Sequence, residues 1–308
     1  MSDESKIGPG APAANEASKE VAPPKSLSSI PQSVDRLILR LHKLLASPGG
    51  LSSFLGTLNY TLYLLAYLES KAPSPAKLSK SFLHLLNYKR QTTKPPTTTL
   101  VSPTAGPSPI ASLGGLLSKA RTTLRLFSLL PLYARLRSLL SSGPKPGEDG
   151  FLYCIALAQC CAYVAYQALE NIAVLADNNI FPKSMIARFN KGDATTSKVY
   201  RWAYRAWLTG VSCDFVRLAR EAVVERQRRA VRARMADEGK AVAEGQNEED
   251  KAVDAKWWKD LLVATAWFPM AVNYGTETGF PGWNLGMMGL CGLVGTYGRT
   301  QQLWAATK

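Results

Sequence analysis

Histidine is almost missing from this 308-residue chain. His42 and His84 are the only two, and neither has a partner at metal-ligand spacing. So little imidazole leaves few groups for acid–base chemistry near neutral pH. Other chemical signatures are missing too: there is no HExxH, no Ser/His/Asp or Cys/His set, no P-loop and no carboxylate pair in an apolar setting. The five cysteines (Cys154, Cys160, Cys161, Cys213 and Cys291) form no CxxC, and an odd number argues against a disulfide framework. The chain therefore reads as a non-enzyme of a reducing compartment that calls for no metal and no cofactor.

Charge is scarce as well. Only 19% of residues are charged, against about 25% in ordinary soluble proteins. What charge there is leans one way: Lys+Arg number 37 and Asp+Glu 23, a formal net charge of +14. Such a surplus implies an anionic partner, either nucleic acid or an acidic membrane surface. The basic excess lies in residues 1–150 and 183–240, beside nearly uncharged stretches, a layering that favours a membrane. Residues 1–30 lack the apolar core of a secretory signal, and Asp3, Glu4, Glu16 and Glu20 disfavour a mitochondrial presequence. Their Ala, Pro, Ser and Lys content reads as a disordered arm.

What is present is helical periodicity. Val34, Leu37, Ile38, Leu41, Leu44 and Leu45 recur at helix spacing behind Ser33 as N-cap, and Ser47-Pro48-Gly49-Gly50 ends that helix. Leu51–Leu68 is an 18-residue uncharged run, read as a buried or membrane-apposed helix. Clustered prolines make residues 91–110 a Pro/Thr-rich loop insertion.

Leu113, Leu116, Leu117, Ala120, Leu124 and Phe127 form an apolar stripe roughly 100° wide, flanked by Lys119, Arg121 and Arg125. Pro131 should kink the continuation. Either the stripe faces a core, or it lies in the acyl boundary of a bilayer with its cations on phosphate headgroups.

Phe151–Leu169 gives 19 uncharged residues, enough to cross a hydrocarbon core. Lys198 to about Arg234 reads as one long helix with Tyr200, Tyr204, Trp207 and Leu218 on one face. It ends in an arginine-rich run read as a solvated juxtamembrane helix, without the companion motifs of a nucleic-acid module. Residues 236–256 read as a charged loop and 257–304 as a C-terminal hydrophobic membrane segment. Within the latter, Phe280–Gly298 is the preferred span.

Gly282 and Gly286 are spaced by four, and Gly286, Gly289, Gly292, Gly295 and Gly298 by three. Glycine costs about 1 kcal/mol in a water-exposed helix, so this stripe reads as a surface for close helix association in lipid. The fold class that follows is an all-α, membrane-associated helical protein with amphipathic helices and one to three hydrophobic membrane segments. Residues 31–305 form a single helical domain. A small-metabolite channel lined by Gln159, Gln167 and Asn284, and a soluble basic helical adaptor, remain as alternatives.

Several blocks, in order, resemble the peroxisomal biogenesis factor 11 family. They are Val34-Asp-Arg-Leu-Ile-Leu-Arg-Leu41 and Leu113–Leu130 with Ala120-Arg121 and Leu124-Arg125. Further blocks are Tyr166-Gln-Ala-Leu-Glu-Asn-Ile-Ala173, Tyr200–Leu208, Arg217-Leu-Ala-Arg-Glu221 and Gly289 to Trp304. The Pro/Thr-rich stretch and the N-terminal arm suggest a fungal-type member.

The resemblance implies a peroxisomal membrane protein that remodels and elongates the organelle ahead of fission. It also implies self-association and recruitment of a dynamin-like GTPase with its tail-anchored adaptor. On that reading Leu113–Phe127 is the membrane wedge, with Arg121 and Arg125 as headgroup contacts and Gly286–Gly298 as the helix-association surface. Anionic phospholipid headgroups, not nucleic acid, are the expected partner.

Overall fold

Helix boundaries fall where proline, glycine and capping side chains put them. In the computed structural model, which describes residues 32–71, 108–238 and 246–308, α1 (Gln32–Ala46) stops at Ser47. The Ser47 hydroxyl donates to the Leu44 carbonyl and accepts from the Gly50 amide. α2 (Pro48–Lys71) opens on proline, at a position where no amide donor is needed. α3 (Pro109–Arg125) does the same, with the Ser108 hydroxyl capping the Ala111 amide. The arm at 1–30 and nearly all of the 91–110 insertion lie outside the described residues.

A 3₁₀ turn, Leu126–Ser128, separates α3 from α4 (Leu129–Ser142). This is the break that Pro131 announces. A proline ring clashes with the carbonyl four residues earlier, here Phe127, so the bend falls one turn before the proline.

α5 (Gly150–Asp177) is capped by Asp149, which accepts the Phe151 amide at 2.8 Å. The short α6 (Lys183–Phe189) leads to the long α7 (Ser197–Asp237), then α8 (Gln246–Gly275) and α9 (Leu285–Ala305). Among the described residues every regular element is helical.

Two expectations are corrected. The charged loop at 236–256 is helix from Gln246 onward, because its carboxylates pair with arginines of α7. The preferred span 280–298 is not one helix. Pro281 and Gly282 form a turn, Gly282 at φ 71°, and α9 begins only at Leu285. Fourteen helical residues, 285 to 298, then precede Arg299. At 1.5 Å per residue they reach about 21 Å, short of a hydrocarbon core of about 30 Å. α5 is the helix among the described residues that is long and apolar enough to cross a membrane, with a mean hydropathy of 1.4.

The most extensive packing joins α9 to α2, α5 to α7 and α7 to α8; α3 rests on α2, and α8 also touches α9. Distant parts of the chain therefore meet. The Thr57 hydroxyl lies 2.9 Å from that of Thr300, and the Arg40 guanidinium stacks 4.2 Å over the Trp304 ring and donates to its carbonyl. α5 and α7 run antiparallel. Asp149 meets Arg220 at one end, and Asp177 accepts from Tyr200 and Thr196 at the other. On α7 these levels are twenty residues apart, 200 to 220. That is about 30 Å, the thickness of a hydrocarbon core.

The glycine stripe forms the α2–α9 seam. Gly286, Gly289 and Gly292 are buried against Tyr67, Leu64 and Tyr60 in turn, and Gly295 faces Trp267 of α8. Gly298 has open space beside it. Close approach is what the spacing promised, and the partner helix belongs to the same chain.

A methyl group at Gly289 would sit 2.5 Å from the Leu64 backbone nitrogen. Gly289→Ala should therefore destabilise by about 1–3 kcal/mol. Gly298→Ala should be neutral or stabilise by up to about 1 kcal/mol. Thermal unfolding of both variants in detergent checks the pair; equal effects would remove the seam.

Candidate membrane-binding site

On α3 one face carries Gly114, Ser118, Arg121, Thr122 and Arg125, and the other carries Leu113, Leu116, Leu117, Ala120 and Leu124. The structure turns the polar face inward. Gly114 is buried against Tyr63, and Arg121 lies 4.9 Å over the Tyr60 ring. Arg125 forms an ion pair with Glu170 of α5 at 2.9 Å.

The apolar stripe points away from the protein. Leu116 is 63% exposed and Phe127 68%; Leu113, Lys119, Ala120 and Leu124 are also exposed, and Leu117 is half-buried. The apolar surface continues along α4 through Leu130, Tyr133 and Leu140. Soluble monomers rarely leave so much contiguous apolar surface uncovered.

The site residues named from sequence thus divide. Leu113, Leu116, Leu117, Lys119, Ala120, Leu124 and Phe127 share the outward side. Arg121 and Arg125 leave it for partners on α2 and α5, which is where they differ from headgroup contacts. Gly286, Gly289 and Gly292 lie in the α2–α9 seam, Gly282 in the preceding turn and Gly298 beyond it.

Three side chains hold the inward face: Gln167, read from sequence as a possible channel lining, and Glu170 and Asn171, to which the sequence assigned no role. Glu170 is 2% exposed, and Gln167 donates to its carboxylate at 3.4 Å and to the Asn171 oxygen at 2.8 Å. Asn171 in turn donates to the Leu126 carbonyl at 2.9 Å, within the turn that separates α3 from α4. The available signal was an acid flanked by two amides inside an apolar helix, a pattern tolerated only where partners face it.

Around this network runs a chain of rings. Tyr60 meets Trp267, Trp267 meets Trp207, and Trp207 stacks on Tyr166 at 6.1 Å. The polar groups considered for a solute path are also engaged: Gln159 donates to the Gly210 carbonyl, and Asn284 caps the Met287 amide.

Three arginines of the arginine-rich run are committed too. Arg229 pairs with Glu225 and Asp254 (2.9 and 2.7 Å), Arg232 with Asp250 (2.7 Å), and Arg228 with Glu249 (3.0 Å). Hydrogen bonds from Arg232 hold the Asp250 carboxyl below the usual carboxylate range, and those from Arg220 do the same for Asp149.

The model of the peroxisomal biogenesis factor 11 (PEX11) family matches residues 102–304, about two thirds of the chain. The match takes in α3 through nearly all of α9. No curated protein and no solved structure matches.

Replacing Arg125 by Met leaves the buried Glu170 carboxylate uncompensated and should destabilise by about 3 kcal/mol. Adding Glu170→Leu should recover most of the loss, as read by denaturation midpoints in detergent; a double variant no better than the single would refute the pairing. Carboxylates held low stabilise the α7–α8 pairing above the ordinary carboxylate pKa of about 3.9 and lose that contribution as pH falls through their lowered values. Hydrogen-exchange protection over 246–256 should hold from neutral pH to about 4 and drop below it. Protection that is flat to lower pH would count against the ion pairs.

Proposed function

The chain belongs to the peroxisomal biogenesis factor 11 family, and on that premise we propose that it elongates and proliferates peroxisomes by seating α3 in one leaflet of the peroxisomal membrane. A peroxisomal location and a part in peroxisome biogenesis come with the family, which is one of biogenesis factors and not of enzymes. The observation that carries the mechanism is the orientation of α3: its polar face packs inward on α2 and α5, and its apolar face has no protein cover among the described residues. An amphipathic helix lies about 5–10 Å deep at the headgroup boundary. A 17-residue helix about 25 Å long and 10 Å wide adds roughly 250 Å² to one leaflet. Unequal leaflet areas favour positive curvature.

α5 supplies the anchor in this reading, its uncharged run facing lipid and its polar side chains facing α7 and α4. One wedge bends little membrane, so elongation requires self-association. The glycine seam is occupied within the chain, which leaves that role to other surfaces. Division factors, a dynamin-like GTPase with its tail-anchored adaptor, complete fission once the membrane is drawn out. The Pro/Thr-rich insertion is the ground for placing the chain among fungal-type members.

The full-length chain should tubulate vesicles of phosphatidylcholine and phosphatidylserine, seen by electron microscopy. Leu116→Glu with Phe127→Glu should abolish tubulation while leaving the melting temperature unchanged, because both side chains are exposed. The same variant should fail to elongate peroxisomes in deleted cells. Normal tubulation by it would sink the wedge.

A further inference from the structure

Where α7 and α8 leave the apolar bundle they enclose a groove of about 550 Å³, within the range of about 300–1,000 Å³ typical of ligand sites. Leu152 from the first turn of α5, Ala222 and Val224 from α7, and Val253 and Trp257 from α8 form its apolar walls. Most charges on its rim are already neutralised. Arg229 is held by Glu225 and Asp254, Lys256 by Asp260, and Glu221 by Arg217. Arg226 differs: it is exposed, lines the groove, and has no ion-pair partner among the described residues.

The height of the groove is also fixed. It opens beside the Asp149–Arg220 pair, where the apolar length of α5 begins. Trp257 is pinned at this level by its indole N–H bond to the Leu218 carbonyl (2.9 Å), and its neighbour Trp258 is 64% exposed. Tryptophans of this kind mark the boundary between hydrocarbon and headgroups.

We infer that the groove is a binding site for one anionic phospholipid of the surrounding leaflet, with an acyl chain along the apolar walls and its phosphate on Arg226. This rests on the reading that α5 lies in the bilayer. The apolar walls reject a nucleotide or sugar phosphate, and a groove with one free cation suits a single anionic head. Because the groove opens where the leaflet begins, a lipid reaches it with its second chain still in the bilayer.

The test uses the full-length chain in phosphatidylcholine nanodiscs containing a trace of phosphatidylserine with a diazirine on one acyl chain. After irradiation and digestion, the label should map to Leu152, to 222–226 and to 253–257. Excess unlabelled phosphatidylserine should displace it, palmitate should not, and the same diazirine on phosphatidylcholine should label these peptides several-fold less. Arg226→Gln should reduce labelling roughly tenfold, the loss of one charge-assisted contact, and R226K should keep most of it. Val253→Trp should remove the label by filling the groove; circular dichroism confirms that both chains fold.

Label that survives R226Q and V253W overturns the site, and displacement by palmitate overturns its assignment to a phospholipid. Vesicle tubulation by the unsubstituted chain separates this from the wedge: an unsubstituted chain that tubulates without groove label refutes the site alone, and one that is labelled without tubulating refutes the wedge alone.

Discussion

The orientation of α3 depends on the ion pair between Arg125 and Glu170. A carboxylate that is 2% exposed in an apolar helix needs a cation within reach, and the one it finds ends α3. The next residue of α5, Asn171, holds the Leu126 carbonyl where the helix is interrupted. One turn of α5 therefore grips α3 on its polar side and fixes the bend into α4. With that face held, the leucines opposite have no cover among the described residues. The outward stripe is thus a consequence of the buried pair as much as of its own hydrophobicity.

The rest of the molecule follows the same inversion. Ser53, Asn59, Gln159, Gln167 and Glu170 are buried, while Leu116, Phe127, Leu130, Leu140, Leu262 and Leu290 are exposed. In water this arrangement would be unfavourable, since apolar burial is the main force that gathers helices. In lipid that force is absent, and helices associate through close backbone approach and hydrogen bonds. Both appear here: the glycines of α9 admit Leu64 and the tyrosines of α2, and amide side chains bond across α5, α7 and the 126–128 turn.

Much of this could be read from the chain, though not its direction. The limits of α5 were written in Asp149 and the uncharged run from Phe151. The α3 stripe was legible as a stripe, but its pattern is the same whether it faces a core or a bilayer; a glutamate 45 residues later decides. Glycines every third residue said that something comes close, not that α2 is what comes. The segment after Ala236 looked like a loop because its composition is acidic and polar. It is helical because Asp250 and Asp254 meet Arg232 and Arg229, which no local window contains. Pro281 and Gly282 were visible in sequence, yet the absence of charge from Phe280 onward outweighed them, and a turn was mistaken for the start of a span.

The net charge of +14 gains a more specific meaning from these pairings. Each ion pair cancels one charge of each sign, so the surplus must reside on cations without partners. Arg121 stacks on a ring, and Arg125, Arg217, Arg220, Arg228, Arg229 and Arg232 are matched by carboxylates. Arg36, Lys43, Lys119, Arg135 and Arg137 are among the cations that form no ion pair with the described residues. These five stand on α1, α3 and α4, the helices on which Val34, Leu37, Ile38, Leu116, Phe127, Leu130 and Leu140 are exposed. Free cations beside uncovered apolar faces match a surface of anionic headgroups over hydrocarbon. A nucleic acid would engage the charge and leave the leucines in water, so the two kinds of exposed side chain together favour the proposed membrane partner over a nucleic acid.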